Sequence, residues 1–184
     1  MAKNITIFEF GTLTDAEATA SWTDLDNAKE SDNTYASCSF DITNEFCEAS
    51  ATNKSVESGL TLKSSFIITK VELGLEMYTD RVTGRLGASA AFDLGSTLSE
   101  FYMTIDSFAS IPEDWYWSDI TEDATVAPDT WTKTDIDNLT LWIRLLGLTV
   151  MKAVPEGTVY LDSIALRVTW EEGNILMPLA WQSF

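Results

Sequence analysis

Alternation of apolar and polar positions at period two recurs along the chain and predicts β-strands. In the run 158–170, Ile164, Leu166, Val168 and Trp170 alternate with small or polar residues. Strands with one apolar face are typical of antiparallel sheets, since strands of parallel sheets are apolar on both faces. We therefore predict an all-β protein, an antiparallel two-sheet β-sandwich of jelly-roll-like architecture. The same alternation covers the segments 5–7, 36–42, 70–77, 86–94, 101–105 and 139–145.

The chain of 184 residues is long enough to bury a sizeable core, and no linker or break in composition divides it. We expect one domain over 1–184, with a sandwich core at about 20–170, an N-terminal segment 1–19 and an apolar C-terminal arm 171–184. One short helical turn is predicted in "TWTKTDIDN", with Thr134 or Asp135 as its N-cap. The segment "SIPEDWYWSDITEDATVAPDT" is predicted to be a long connection that is functional or is ordered against another part of the protein.

A carboxylate interrupts the most regular of the predicted strands. Val159 and Leu161 are apolar on one parity, and the apolar parity changes after Asp162. This change predicts a β-bulge at Asp162. A buried carboxylate must be ion-paired or accept hydrogen bonds from backbone N–H groups. We therefore expect Asp162 to have a structural role, with Arg144 or Arg167 as a candidate ion-pair partner.

The charge of the chain narrows the classes of partner. Twenty-nine acidic residues against eleven basic ones give a net charge of -18, and there is no histidine. Nucleic acids and anionic membrane surfaces would be repelled by this field. Without histidine or a Gly-x-Ser-x-Gly elbow, an active site is hard to assemble from the sequence, so we expect no enzyme activity, no cofactor and no metal. The charge itself favours solubility and discrimination between partners, and the partners compatible with it are a basic protein surface, a cation or a neutral ligand.

Two cysteines, Cys38 and Cys47, bracket the segment "SFDITNEF". The first residues lack the pattern of a secretory signal, so we expect synthesis in a reducing cytoplasm. Two buried reduced thiols are therefore predicted, and a disulfide that closes a short loop is the alternative. The acidic segment "DLDNAKESD" is predicted to be a solvated turn; the alternative, a calcium site, would lack the glycine and the spacing of an EF-hand loop.

Three adjacent aromatic residues, Trp115, Tyr116 and Trp117, lie among the acids of "PEDWYWSD". In an extended strand the two tryptophans would share one face and Tyr116 would take the other. Three interpretations remain open at this stage. The aromatic residues plug the end of the sandwich core, they anchor a protein interface, or the tryptophans stack on sugar rings while carboxylates bind the hydroxyl groups.

Four segments occur in a characteristic order: "WTDLDNAKESDNTYAS" from Trp22, "FIITKVELGLEM", "TWTKTDIDNLTLWIRL", and "VYLDSIALRVTW" with Asp162. This series resembles a β-sandwich module of structural proteins from tailed bacteriophages and related prokaryotic viruses. The resemblance covers about residues 20–170, although the glycine-rich middle typical of the group is here mostly Asp, Glu and Ser. It implies a non-catalytic virion protein, a capsid decoration or tail-associated component made in the host cytoplasm, with Trp22 and Asp162 in structural positions.

The resemblance also implies partners, namely other capsid or tail subunits and further copies of the same chain in a homo-oligomer. Two alternatives belong to other classes, a carbohydrate-binding module and a self-assembling surface or filament subunit. We expect the interface to include the three aromatic residues at 115–117 and an apolar C-terminal arm, because a contiguous apolar patch usually marks an interface. The alternative is that both ends of the chain fold back on their own sandwich. The apolar residues of this arm are Ile175, Leu176, Met177, Leu179, Trp181 and Phe184.

Overall fold

The computed structural model of the chain describes residues 3–16, 20–41, 46–56, 65–83, 85–95, 97–99, 102–107, 112–123, 125–148 and 156–172. The described residues form ten strands, one 3₁₀ helix at Leu25–Lys29 and one α-helix, α1, at Lys133–Asn138. The strands are β1 (Asn4–Asp15), β2 (Trp22–Thr23), β3 (Ala36–Phe40), β4 (Phe46–Val56), β5 (Phe66–Thr83), β6 (Arg85–Asp93), β7 (Tyr102–Ser107), β8 (Asp114–Asp119), β9 (Thr140–Leu148) and β10 (Glu156–Glu172).

Every strand pairing is antiparallel, and the strand order is β2-β3-β10-β1-β4-β9-β6-β7, with β5 on the other edge of β10 and β8 beyond β5. One layer contains β8, β5, β10, β3 and β2, and the other contains β1, β4, β9, β6 and β7. The two layers are joined where β1 pairs with residues 165–170 of β10. The predicted antiparallel two-sheet sandwich is confirmed. The seven segments with period-two alternation fall on β1, β3, β5, β6, β7, β9 and β10.

The inward positions of both layers form one apolar core. On β5, Leu73 and Leu75 point inward and are completely buried, and Ile143 on β9 and Leu166 on β10 are equally buried. The core extends further toward the N-terminus than residue 20, because Phe10 of β1 is also completely buried. Residues 4–15 of the N-terminal segment are therefore a strand of the sandwich itself. The apolar face predicted from Ile5 and Ile7 is wrong, because Thr6 and Phe8 are buried and Ile5 is exposed.

The N-cap of helix α1 lies two or three residues earlier in the chain than expected. Thr132 is the N-cap, and its hydroxyl oxygen accepts a hydrogen bond from the backbone N–H of Asp135. The carboxylate of Asp135 in turn accepts a hydrogen bond from the backbone N–H of Thr132, at 2.8 Å, which completes a capping box. The prediction of Thr134 or Asp135 as the N-cap is therefore wrong, although Asp135 is the reciprocal partner in the box. Thr134 lies inside the helix.

Cys38 and Cys47 are joined by a disulfide, with their Cα atoms 6.7 Å apart. Cys38 lies on β3 and Cys47 lies on β4, two strands that do not pair with each other and belong to different layers. The prediction of two reduced thiols is wrong. Alternation correctly indicates that Cys38 points inward. The sequence does not reveal that Cys47 also points inward and meets Cys38 across the core.

Candidate binding site

The face of β5 that points away from the core carries an aromatic and acidic surface, here called the outer face. Because side chains alternate along a strand, the residues next to the buried Leu73 and Leu75 point to this face. Its neighbours on β8 and β10 are fixed by the register of the sheet. Three rows of register partners cross it: Arg167–Glu72–Asp119, Ala165–Gly74–Trp117 and Ser163–Glu76–Trp115.

Trp115 and Trp117 stand side by side on the outer face. Their rings are stacked, with centroids 4.9 Å apart and an angle of 15° between the planes. The six-membered ring of Trp117 lies over Gly74, so close that a Cβ atom at position 74 would be 2.4 Å from Cζ3 of that ring. Tyr116 points the other way and packs against the core. The predicted division of the three aromatic residues between two faces is confirmed.

The tryptophans do not plug the end of the core. Both are half-buried on the outer face, and only their neighbour Tyr116 contacts the core cluster. The core-plug interpretation of the pair is therefore wrong. The structure instead makes β8 an edge strand on β5, within a segment that the sequence predicted as a connection. This position leaves the paired indole rings on a surface.

Trp115 stacks on one face of the Trp117 ring, and a charged side chain contacts the other face. The guanidinium carbon of Arg167 lies 4.0 Å from the ring centroid of Trp117, within the range of a cation–π contact. Glu72 accepts two hydrogen bonds from Arg167, each 2.8 Å long, and Lys70 donates a third at 2.7 Å. The hydrogen bonds from Arg167 keep the pKa of Glu72 below its usual value, against the opposing effect of burial. Arg167 and Trp117 are thus fixed relative to each other.

Next to the tryptophans lie three buried side-chain oxygen atoms without hydrogen-bond partners among the described residues. Glu76 Oε2, Asp162 Oδ1 and Ser163 Oγ are buried, and none has a hydrogen-bond partner among the described residues. Glu76 and Ser163 are register partners, and Asp162 precedes Ser163 on β10. Buried polar atoms normally find a partner, so three orphaned oxygens in one place are unusual.

The predicted bulge at Asp162 is confirmed, because the register of β10 against β5 shifts between Leu161 and Ser163. Asp162 is 1% exposed, and its carboxylate accepts hydrogen bonds from the backbone N–H groups of Asp32 and Asn33. Burial, followed by repulsion from Glu76, raises the pKa of Asp162, and the two backbone hydrogen bonds oppose the shift.

Neither predicted arginine pairs with Asp162. Arg144 forms an ion pair with Glu48, at 2.6 Å between Nη2 and Oε2, and Arg167 pairs with Glu72. These two ion-pair predictions are wrong because both arginines have nearer carboxylates in the register. Arg144 lies opposite Glu48 in the β4–β9 pair, and Arg167 lies opposite Glu72 in the β5–β10 pair. The backbone hydrogen bonds, the other predicted means of satisfying the carboxylate, are present.

Three tyrosines form a second aromatic cluster on the outer face. Tyr78 and Tyr160 are register partners and stack at a centroid distance of 4.6 Å, and Tyr35 meets both edge-on, at 5.1 and 6.2 Å. The phenol of Tyr35 donates a hydrogen bond of 2.8 Å to Glu113 Oε1. This hydrogen bond is the main reason that the pKa of Tyr35 is raised to about 12. The phenol is therefore a neutral donor across the ordinary pH range.

Other residues singled out in the sequence have local roles or fall outside the described part. Trp22 donates from Nε1 to the backbone oxygen of Glu48 at 3.1 Å, which connects β2 to the opposite layer. In the acidic segment at 24–32, Asp26 pairs with Lys29. Among the described residues, no group of three or more His, Cys, Asp or Glu side chains is arranged to hold a metal ion. The apolar C-terminal residues Ile175, Leu176, Met177, Leu179, Trp181 and Phe184 lie outside the described residues.

Within the described ranges, no helix is both long and apolar enough to pass through a bilayer. No family model matches the chain, and no curated protein matches it. Among solved structures, TmCBM61 in complex with beta-1,4-galactotriose is similar over 86% of this chain and 89% of that chain, with a TM-score of 0.39 and 9% sequence identity. A similarity of this size does not extend to individual binding residues, so the site must be judged by its own side chains.

The sequence indicated some residues of this surface but not others. "PEDWYWSD" singles out the tryptophans, whereas Glu76 and Ser163 look like ordinary outward positions of their strands. Tyr78 and Tyr160 are 82 positions apart in the chain and are adjacent only because β5 pairs with β10. The available signal was parity, since both tyrosines fall on the polar side of their strands.

Proposed function

We propose that the protein is a non-catalytic carbohydrate-binding module whose binding surface is the outer face around Trp115 and Trp117. The observation that carries the proposal is the pair of stacked, partly exposed indole rings next to carboxylates on the outer face. Aromatic rings offer an apolar surface to the apolar face of a pyranose, and carboxylates accept hydrogen bonds from its hydroxyl groups.

Rigidity of the tryptophans supports a binding role. Trp117 is held between Arg167 on one side and Trp115 on the other, above a glycine that leaves it room. Side chains that are already fixed before binding lose little conformational entropy when a ligand arrives. Because Arg167 and Trp115 cover the two faces of Trp117, a sugar ring would stack on Trp115 and meet the edge of Trp117.

The acidic character of the chain favours a ligand without negative charge. The net charge is -18, and Asp114 and Asp119 flank the tryptophans at the two ends of β8. Uronic acids and sulfated sugars would be repelled by this field. The role as a virion structural protein, with other virion subunits as partners, stays a prediction from the resemblance and is compatible with a glycan-binding surface.

The test is a glycan array followed by isothermal titration calorimetry, with the intact protein and two variants. Trp115→Val and Trp117→Val remove the indole rings and keep a residue that favours a strand. Trp142→Val on β9, a strand of the other layer, is the matched control. Binding of neutral glycans that the Trp115 and Trp117 variants lose and the control keeps would support the proposal. Folded protein that binds no glycan on the array would contradict it.

A further inference from the structure

The two aromatic clusters of the outer face lie on the same surface and in line. Tyr78, Glu76 and Gly74 are alternate residues of β5 and therefore point to one face. Tyr160 is the partner of Tyr78, and Trp117 is the partner of Gly74. A strand rises about 3.3 Å per residue, so the tyrosine cluster and Trp117 are about 13 Å apart along β5. Trp115, the partner of Glu76, lies between them, so the aromatic surface as a whole is longer than one pyranose ring.

The surface between the clusters is acidic. Ser163 and Ala165 of β10 are small and completely buried, so neither adds a large side chain to the face. Glu76 is half-buried between the two aromatic ends, and Glu113 is exposed at the edge, where it accepts a hydrogen bond from the phenol of Tyr35. Carboxylates that accept hydrogen bonds, flanked by two aromatic clusters, match a chain of rings with hydroxyl donors between them.

We propose that Tyr35, Tyr78 and Tyr160 form a second subsite of the binding surface, so that the ligand is an uncharged oligosaccharide lying along β5 from the tryptophans to the tyrosines. This inference rests on the proposed function and adds to it the length, the direction and the charge class of the ligand. Sugar rings at both ends pack on aromatic side chains. Hydroxyl groups of the intervening rings donate to carboxylates in the centre of the face.

The charges of the described residues favour this ligand over a basic peptide. A peptide rich in Lys and Arg would meet acids at the centre, but Arg167 already occupies one face of Trp117 and Lys70 lies beside Glu72. A cationic side chain at the tryptophan end would therefore meet like charges. A neutral polyol avoids this repulsion, and its hydroxyl groups donate hydrogen bonds to the carboxylates of Glu76 and Glu113.

The experiment measures affinity against ligand length. Cello-, galacto- and malto-oligosaccharides, each from the monosaccharide to the hexasaccharide, are titrated into the full chain by calorimetry. The variants are Trp117→Val, Tyr160→Val and Tyr78→Val, and circular dichroism with a thermal melt confirms that each is folded. Tyr160→Phe is the matched control, because it retains the ring and removes only the hydroxyl group.

We expect affinity to rise roughly tenfold once the oligosaccharide reaches both clusters, which is the size of one added aromatic contact. Tyr78→Val and Tyr160→Val should abolish this rise and leave the affinity for short sugars unchanged, whereas Trp117→Val should weaken binding at every length. Oligogalacturonates should bind more weakly than neutral oligosaccharides of equal length.

Two results would overturn the inference, and they differ in what they say about the function. If sugars bind but affinity is independent of length, or the tyrosine variants behave like the intact protein, the second subsite is wrong and the carbohydrate-binding function stands. If no sugar binds and an oligolysine peptide binds the same face in a salt-sensitive manner, both the subsite and the proposed function are wrong.

Discussion

The indole ring of Trp117 occupies the space that any side chain at position 74 would need. An ideal Cβ on Gly74 would lie 2.4, 2.6 and 2.7 Å from three carbon atoms of that ring, distances at which atoms overlap. Glycine at this position is thus required by the packing of a residue on the neighbouring strand. The position of the tryptophan therefore depends on a residue that is itself unable to contact a ligand.

Gly74→Ala should displace Trp117 and weaken the proposed sugar binding, although Gly74 itself is buried under the ring of Trp117. Introducing one carbon into a filled space costs about 1–3 kcal/mol of unfolding free energy. Calorimetric titration and thermal melts measure the two effects. The same change in a Trp117→Val background should cost much less, because the clash is gone. Equal costs in both backgrounds would show that the ring and the glycine are not coupled.

Replacement of Asp162 should separate its hydrogen-bond role from its charge. Asp162→Ala leaves the backbone N–H groups of Asp32 and Asn33 without their acceptor and should lower the unfolding free energy by about 1–3 kcal/mol. Asp162→Asn keeps an oxygen acceptor and removes the negative charge beside Glu76, so it should cost less than Asp162→Ala. Urea denaturation at pH 7 provides both values, and equal losses in the two variants would contradict the predicted role.

Comparison of the intact protein with Asp162→Asn also predicts how the unfolding free energy changes with pH. Because the pKa of Asp162 is raised in the folded state, its stabilising contribution is complete below its ordinary pKa of about 3.9 and is lost as pH rises through the raised value. The unfolding free energy of the intact protein should therefore fall relative to that of Asp162→Asn above about pH 4. Glu72 has a lowered pKa and the opposite sign, but it is present in both proteins and cancels. A difference that stays constant from pH 4 to 8 would refute the prediction.

Reduction of the disulfide should destabilise the fold. The bond between Cys38 and Cys47 closes a loop over a sequence separation of 9, which corresponds to about 2–3 kcal/mol from chain entropy. Thermal melts with and without a phosphine reductant measure this loss. A Cys38→Ala/Cys47→Ala double variant should melt at the reduced temperature under both conditions. If the reductant leaves the intact protein's midpoint unchanged, the cysteines are not bonded in solution.

Deletion of residues 173–184 tests the predicted role as a virion subunit. This deletion leaves β10 intact up to Glu172, so the melting temperature should not change. Self-association, measured by analytical ultracentrifugation of the full chain and the truncated chain, should be lost if the apolar arm is an assembly contact. A truncated chain that still associates as the full chain does would remove the arm from the interface.

The elements that alternation could predict are the strands with large apolar residues on one face. β4 escaped prediction because its inward residues after Phe46 are small, with Ala49 and Ala51 in completely buried positions. β8 escaped because its inward Tyr116 is flanked by two tryptophans, which makes both faces aromatic. Both strands alternate between inward and outward residues, but the two sets differ little in hydrophobicity.

Only the tryptophan end of the proposed binding surface could be predicted from the sequence, and the reason differs from that for the strands. Trp115 and Trp117 are neighbours in the chain and were visible together, whereas the tyrosine cluster joins Tyr35, Tyr78 and Tyr160 from three strands or their flanks. Such a cluster depends on which strands pair and in which register, and a single sequence does not specify either. The ion pairs failed in the same way, since the partner of each arginine is decided by the residue opposite it in the sheet.

The strand β10 hydrogen-bonds to β5 along nearly its whole length on one edge, and to β3 and then β1 on the other. All three of these strands are synthesised before it. While a ribosome translates the first 155 residues, β1, β3 and β5 have emerged with long edges that lack their common neighbour. Exposed strand edges pair with other strands. Before β10 is synthesised, the unpaired edges of nascent chains on the same mRNA can therefore pair with each other. We expect slow translation just before residue 156 to increase aggregation, and rapid completion of β10 to protect the chain.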